Sequence, residues 1–101
     1  MTAAAKRVAR PRLRVPGPVA ETVRGLHPEI KRKVRAALAS ILDDPQIGKA
    51  LKDELAGLRS LRVGRLRLVY RVTGSRVIEV VALGPRRRIY QETLRLVRRK
   101  R

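Results

Sequence analysis

Cysteine, tryptophan and phenylalanine are absent from this chain, and its 101 residues include two tyrosines and one histidine. Without cysteine there is no disulfide and no thiolate zinc site, which fits a reducing cytoplasm. With 2 % aromatics, the core must be built from Leu, Val, Ile and Ala, and a chain this short hides only a modest share of its surface. Acidic residues are scarce, 8 in all. A metal-dependent nuclease wants converging carboxylates, and the close pairs here are Asp43 with Asp44 and Asp53 with Glu54. The first pair sits at a predicted helix end, where forming a turn is role enough. The single histidine, His27, precedes Pro28 and reads as a helix-start residue rather than a member of a Ser-His-Asp set. No glycine loop of the phosphate-cradling kind is present, and no metal or other cofactor is expected. No apolar run reaches bilayer length. The start "MTAAAKRVARPRLRV" is basic but lacks the apolar stretch of a secretory signal. It reads as a loose basic arm, with an Arg-rich transit peptide as the weaker alternative.

What is abundant is positive charge. Lysine and arginine number 26, for a net charge of +18. Such a surface attracts polyanions through counterion release. The candidate partners are nucleic acid and an acidic protein. A membrane surface fits less well, because the basic residues do not lie along one amphipathic helix. Hydrophobic residues make up 44 %, enough for a compact core, and the length predicts one domain. The expected division is a basic arm over 1–10, a single domain over 11–98 and a basic tail over 99–101.

Along the chain, Leu13 and Val15 alternate with Arg12 and Arg14 between two prolines, which predicts a short edge strand. Val19, Val23 and Leu26 recur at helical spacing after Pro18. Ile30, Val34, Ala37, Leu38, Ile41 and Leu42 form one face of a longer helix that Pro45 stops. "QIGKALKDELAG" is a connection anchored by Leu51 and Leu55. The period then changes to two. Leu61 and Val63 flank Arg62, Gly64 and Arg65 turn, and Leu66, Leu68 and Tyr70 alternate with Arg67, Val69 and Arg71. After the turn "TGSR" comes "VIEVVAL", apolar enough for an interior strand. Tyr90, Leu94 and Val97 are spaced for one stripe of a terminal helix. The predicted fold class is α+β: an N-terminal strand and two helices packed on an antiparallel β-meander, with a short C-terminal helix. By parity, Arg62, Arg67 and Arg71 share the sheet face that the two first helices leave open.

The chemistry left to such a chain is that of Arg, Lys and Tyr. RNA cleavage by the substrate's own 2′-OH suits that palette. It needs a base for the 2′-OH proton, positive charge on the crowded phosphate, and a group that protonates or neutralises the leaving 5′-oxygen. Guanidinium groups match phosphate oxygens in a bidentate way, and a tyrosine exchanges a proton where nearby cations lower its pKa. In "LGPRRRIYQE", Gly84 and Pro85 end a strand, Arg86 follows, and Tyr90 lies one helical turn on. Arg62, Arg67, Arg86 and Tyr90 are therefore predicted to surround one phosphate. The competing reading is that arginines this numerous meet by chance and that Tyr90 only anchors the last helix.

The stretch "LAGLRSLRVGRLRLVYRV", followed by a strand and "LGPRRRIY", resembles the RelE/ParE toxins of bacterial toxin–antitoxin pairs. The family pattern is an Arg-Val-Gly-x-x-Arg hairpin running into a strand with Tyr, then a Gly-His-Arg segment with Tyr shortly after. Here Arg62-Val63-Gly64-Arg65-Leu66-Arg67 and Gly84-Pro85-Arg86 with Tyr90 stand in those places, over about residues 12 to 98. The resemblance implies two helices on an antiparallel sheet and an acidic cognate antitoxin in a hetero-oligomer. In the RelE branch it implies metal-free cleavage of mRNA on the ribosome, in the cytoplasm. It assigns Arg67 and Arg86 to phosphate stabilisation and Tyr90 as the base. Arg62, Lys49, Lys52 and Arg87 would position RNA. Pro85 departs from the family's usual histidine, and Leu66 from a frequent aromatic. The ParE branch, which poisons DNA gyrase by binding, shares the fold and is the alternative; a non-catalytic module binding RNA or protein is the third reading.

Overall fold

The computed structural model describes residues 11–74 and 76–99, without the side chains of residues 86–88, 92, 98 and 99. The expected arm over 1–10 lies outside these residues, as does all of the expected tail but its first residue, which belongs to the last helix. In chain order come strand β1 (Arg12–Arg14), helix α1 (Gly17–Arg24), helix α2 (Pro28–Asp43), strand β2 (Lys49–Ala50), a 3-10 turn (Asp53–Leu55), strands β3 (Arg59–Val63), β4 (Leu66–Val72) and β5 (Val77–Pro85), and helix α3 (Arg86–Arg99). One sheet runs in the order β1-β5-β4-β3-β2. The β3-β4-β5 meander is antiparallel, and β1 joins its edge parallel to β5. The proline-bounded strand is thus an edge strand, as its composition predicts. The two-residue β2 was not foreseen and caps the opposite edge against β3.

Local chemistry explains the element ends. Pro18 occupies the first turn of α1, where its missing N–H has no partner to lose. His27 is the N-cap of α2: its Nδ1 accepts a hydrogen bond from the Glu29 amide at 3.2 Å, while Glu29 sits at the positive end of the helix dipole. The β3–β4 hairpin closes through Gly64 and Arg65, with Gly64 at φ +61°. A two-residue hairpin loop with glycine first matches the twist of its strands.

The core has two parts, one on each sheet face. On the first, Val19 of α1 and Val34 and Ile41 of α2 pack on Val63, Leu68, Tyr70, Ile78, Val80 and Leu83. Of the predicted α2 face, Val34 and Ile41 are fully buried, whereas Ile30 is 38 % exposed, because it lies at the helix start beyond the sheet. On the second, Leu58, Val69, Ala82 and Ile89 are buried together, with Leu51, Leu55, Tyr90 and Val97 against them. Helix α3 lies over this second face. The arginine-bearing face is therefore not open as expected: fourteen residues of helix cover part of it, because Val69 and Ala82 also need removal from water.

The two faces are kept distinct by an irregularity in β5. Val69 pairs with Ala82 but Tyr70 pairs with Val80, leaving Val81 as an extra residue. The bulge puts both Ile78 and Val80 on the α1/α2 face and also Leu83, which simple alternation would send to the other side.

Candidate functional site

The second sheet face can be built rung by rung. Opposite residues in adjacent strands share a face, so Lys49, Ser60, Val69 and Ala82 form one row across β2 to β5. Two residues along β3 and β4, about 7 Å away, the next row is Arg62, Arg67 and Gly84. At the far end of β4 and β5, Arg71 lies opposite Glu79.

The row of Arg62 and Arg67 places two guanidinium groups on opposed positions of neighbouring strands. Like charges so placed repel, and an anion between them would reverse the sign of the interaction. Arg67 is half-buried, and its Nε is buried with no hydrogen-bond partner among the described residues. A buried donor of a charged group left unpaired is costly, and among the described residues none supplies the acceptor. Gly84, its other neighbour, adds no side chain to the row.

The phenol of Tyr90 reaches the adjoining row. Its hydroxyl lies 3.3 Å from Ser60 Oγ, while the ring packs with Leu58, Val69, Ala82 and Ile89. Tyr90 is half-buried, and among the described side chains of α3 the deepest are Ile89 and Thr93. The predicted stripe is thus rotated: Ile89 and Thr93 lead it, and Tyr90 is left on its flank, where the hydroxyl meets a polar partner. Thr93 satisfies itself through Ile89 O at 2.6 Å.

Of the sequence-predicted residues, the structure brings Arg62, Arg67 and Tyr90 onto one face. Lys49 shares the row of Ser60 and is exposed, and Lys52 is exposed at the start of the 3-10 turn. The backbone of Arg86 begins α3 directly after Pro85, which pairs with Leu66, next to Arg67. The side chains of Arg86 and Arg87 lie outside the described residues. Sequence reading passed over Ser60, although it alternates with Arg62 and so had to point the same way.

Among the described residues, the opposite face holds no comparable group. There Tyr70 is fully buried, donates to Pro45 O at 2.7 Å and accepts from the Gly48 amide at 2.9 Å. Burial pushes its phenol above the ordinary value, against the Gly48 hydrogen bond and the charge of Arg59. Tyr70 is a tie between sheet and connection. At the far end of the α3 face, Glu79 is buried and accepts from Arg71 Nε at 2.8 Å and Nη2 at 2.7 Å. That arginine is already neutralised, whereas Arg67 Nε meets no acceptor among the described residues.

Residues 21–90 match the model of the family described as the ParE toxin of type II toxin–antitoxin systems, parDE. Among solved structures, the chain is similar to the toxin–antitoxin complex RelBE2 from Mycobacterium tuberculosis, at 28 % identity over 76 % of this chain and 99 % of that one, with a TM-score of 0.67. It is also similar to a mutant of the Escherichia coli toxin RelE in the free state, at 22 % identity over 89 % and 97 %, with a TM-score of 0.70. A third is the archaeal RelE–RelB complex from Pyrococcus horikoshii, at 23 % over 76 % and 96 %, with a TM-score of 0.63. No curated protein matches the chain.

Proposed function

Because this chain belongs to the ParE toxin family of type II toxin–antitoxin systems and has the RelE fold, we propose that it is a toxin that cleaves mRNA on the ribosome without a metal. The observation that carries this reading is Arg67: a half-buried guanidinium whose Nε has no partner among the described residues, opposed by Arg62 and one row from a tyrosine hydroxyl. A structural role for Arg67 would give that donor an acceptor, as Glu79 does for Arg71.

The roles follow from position. Tyr90 acts as the general base that takes the proton of the RNA 2′-OH, and the 2′-oxygen attacks the adjacent phosphorus. Arg67 and Arg86 stabilise the charge that collects on the non-bridging oxygens. The bond to the 5′-oxygen breaks, and that oxygen leaves as an alkoxide whose charge the Arg86 guanidinium neutralises, then takes its proton from water. The products are a 2′,3′-cyclic phosphate and a 5′-hydroxyl end. Arg62, Lys49, Lys52 and Arg87 hold the RNA backbone as point charges. A net charge of +18 favours an acidic partner as well. Two of the similar structures are toxin–antitoxin complexes, so a cognate acidic antitoxin in a cytoplasmic hetero-oligomer completes the proposal.

The test is induction in cells with mapping of mRNA ends. The wild type is expected to leave new 5′-hydroxyl ends within coding regions. Arg67→Ala should lower cleavage about 10²- to 10³-fold, the size of one lost transition-state donor, with Arg86→Ala similar. If Arg67→Ala, Arg86→Ala and Tyr90→Phe stay as toxic as the wild type, the reading is wrong. The family match to ParE favours a second reading, gyrase inhibition by binding, in which Tyr90 is only an anchor on Leu58 and Val69. DNA-damage signalling without new mRNA ends would decide for it.

A further inference from the structure

Ser60 is one of the few buried polar side chains in the described residues, at 2 % exposure. Its place is fixed twice, because β3 pairs with Lys49 on one side and with Val69 on the other. Tyr90, by contrast, rides on α3, which meets the sheet through side-chain packing rather than strand pairing. A helix held that way can slide and roll slightly, and a tyrosine on its flank can swing about two torsions. Among the described residues, Ser60 Oγ at 3.3 Å is the hydrogen-bond partner that ties the Tyr90 hydroxyl to the sheet. It does so one row from Arg67. A buried serine facing an apolar cluster of Leu58, Val69, Ala82 and Ile89 would otherwise be a poor choice beside alanine or valine, since an unpaired hydroxyl there is unfavourable.

We infer that Ser60 is a positioning residue for the proposed cleavage: its hydroxyl locks the Tyr90 hydroxyl one row from the Arg62–Arg67 pair. This rests on the endonuclease reading and adds to it a residue that never touches the RNA. Catalytic groups need placement to a fraction of an ångström, and a second hydrogen bond from a rigid element supplies it. Either hydroxyl can donate in the pair. When Tyr90 is the phenolate, Ser60 must be the donor, and when it has taken the 2′-OH proton, it can donate back.

The experiment is single-turnover cleavage of a defined mRNA on programmed ribosomes by the full-length chain. Ser60→Ala, Tyr90→Phe and the double variant are compared with wild type, each first shown by circular dichroism to be folded. Ser60→Ala should lower the saturating rate about tenfold, the size of one neutral hydrogen bond, with little change in the half-saturating ribosome concentration. Ser60→Thr, which keeps the hydroxyl, should recover most of the rate. In the Tyr90→Phe background Ser60→Ala should cost nothing further, because the two groups act as one unit. A purely structural serine would lower both backgrounds by the same factor, and that result overturns the inference. So does a wild type that cleaves while Ser60→Ala cleaves as fast. A wild type that cleaves nothing overturns the endonuclease reading itself, and this inference with it.

Discussion

Two tyrosines stand 20 positions apart and do different work, and only their partners tell them apart. Tyr70 bridges Pro45 and Gly48 from a fully buried position. Tyr70→Phe leaves the Gly48 amide and the Pro45 carbonyl without their partner and should lower stability by about 1–3 kcal/mol in urea titrations at pH 8. The pH dependence has a definite sign. Burial raises the folded phenol above its ordinary value, so the protonated form is the one the fold favours. The contribution is complete below the unfolded value, about 10, and is lost as pH rises through the folded one. The gap between wild type and Tyr70→Phe should therefore narrow at alkaline pH; a constant gap from pH 8 upward would refute the assignment. Gly48 is the matching constraint: a Cβ there would stand 2.7 Å from the Tyr70 hydroxyl and 2.8 Å from its Cε1. Gly48→Ala should cost about 1–3 kcal/mol through overpacking, measured in the same titration.

At the scale of elements, α3 decides the character of the site. Periodicity predicted a terminal helix, and the alternation of β4 predicted which residues face away from α1 and α2. Neither showed that α3 folds back over that face. Its hold is apolar, centred on Ile89, which is fully buried against Leu58, Val69 and Ala82. Ile89→Ala should destabilise by about 2–4 kcal/mol. The loss should appear both in denaturant midpoints and as faster hydrogen exchange at β4 and β5 amides. If only α3 amides exchange faster, the helix is an independent flap and not part of the core. The β-bulge at Val81 belongs to this scale too. It sets which of Ala82 and Leu83 faces α3, and nothing around Val81 marks it, because the residues from Val80 to Gly84 are all apolar or small.

The whole molecule acts as a polycation. With 26 basic residues against 8 acidic ones, RNA affinity should fall linearly on a log–log plot against salt. If Lys49 and Lys52 contact phosphates, changing both to Gln should make that slope shallower by about 0.7 per contact, the value for single strands. It should leave the saturating cleavage rate close to wild type. Filter binding across a salt series checks the first, and an unchanged slope would remove both lysines from the RNA path. Charge of this size explains steering but not chemistry, since most of the arginine side chains among the described residues are exposed.

The order of elements other than β2, the edge position of the proline-bounded strand, the two inward helices and the outward placement of Arg62 and Arg67 were all determined by the sequence. Each follows from periodicity and from proline or glycine chemistry acting within a few residues. The sequence also carried the family pattern, in the hairpin around Gly64 and the segment from Gly84 to Tyr90. What only the tertiary structure decided involves residues far apart in the chain. It set Ser60 against Tyr90, 30 positions later, gave Glu79 to Arg71 and left Arg67 Nε without such a partner among the described residues. It also closed α3 over a face that alternation alone leaves open. Local patterns say which way a side chain points; whether a distant group arrives to meet it depends on how whole elements pack, and that is a property of the folded core.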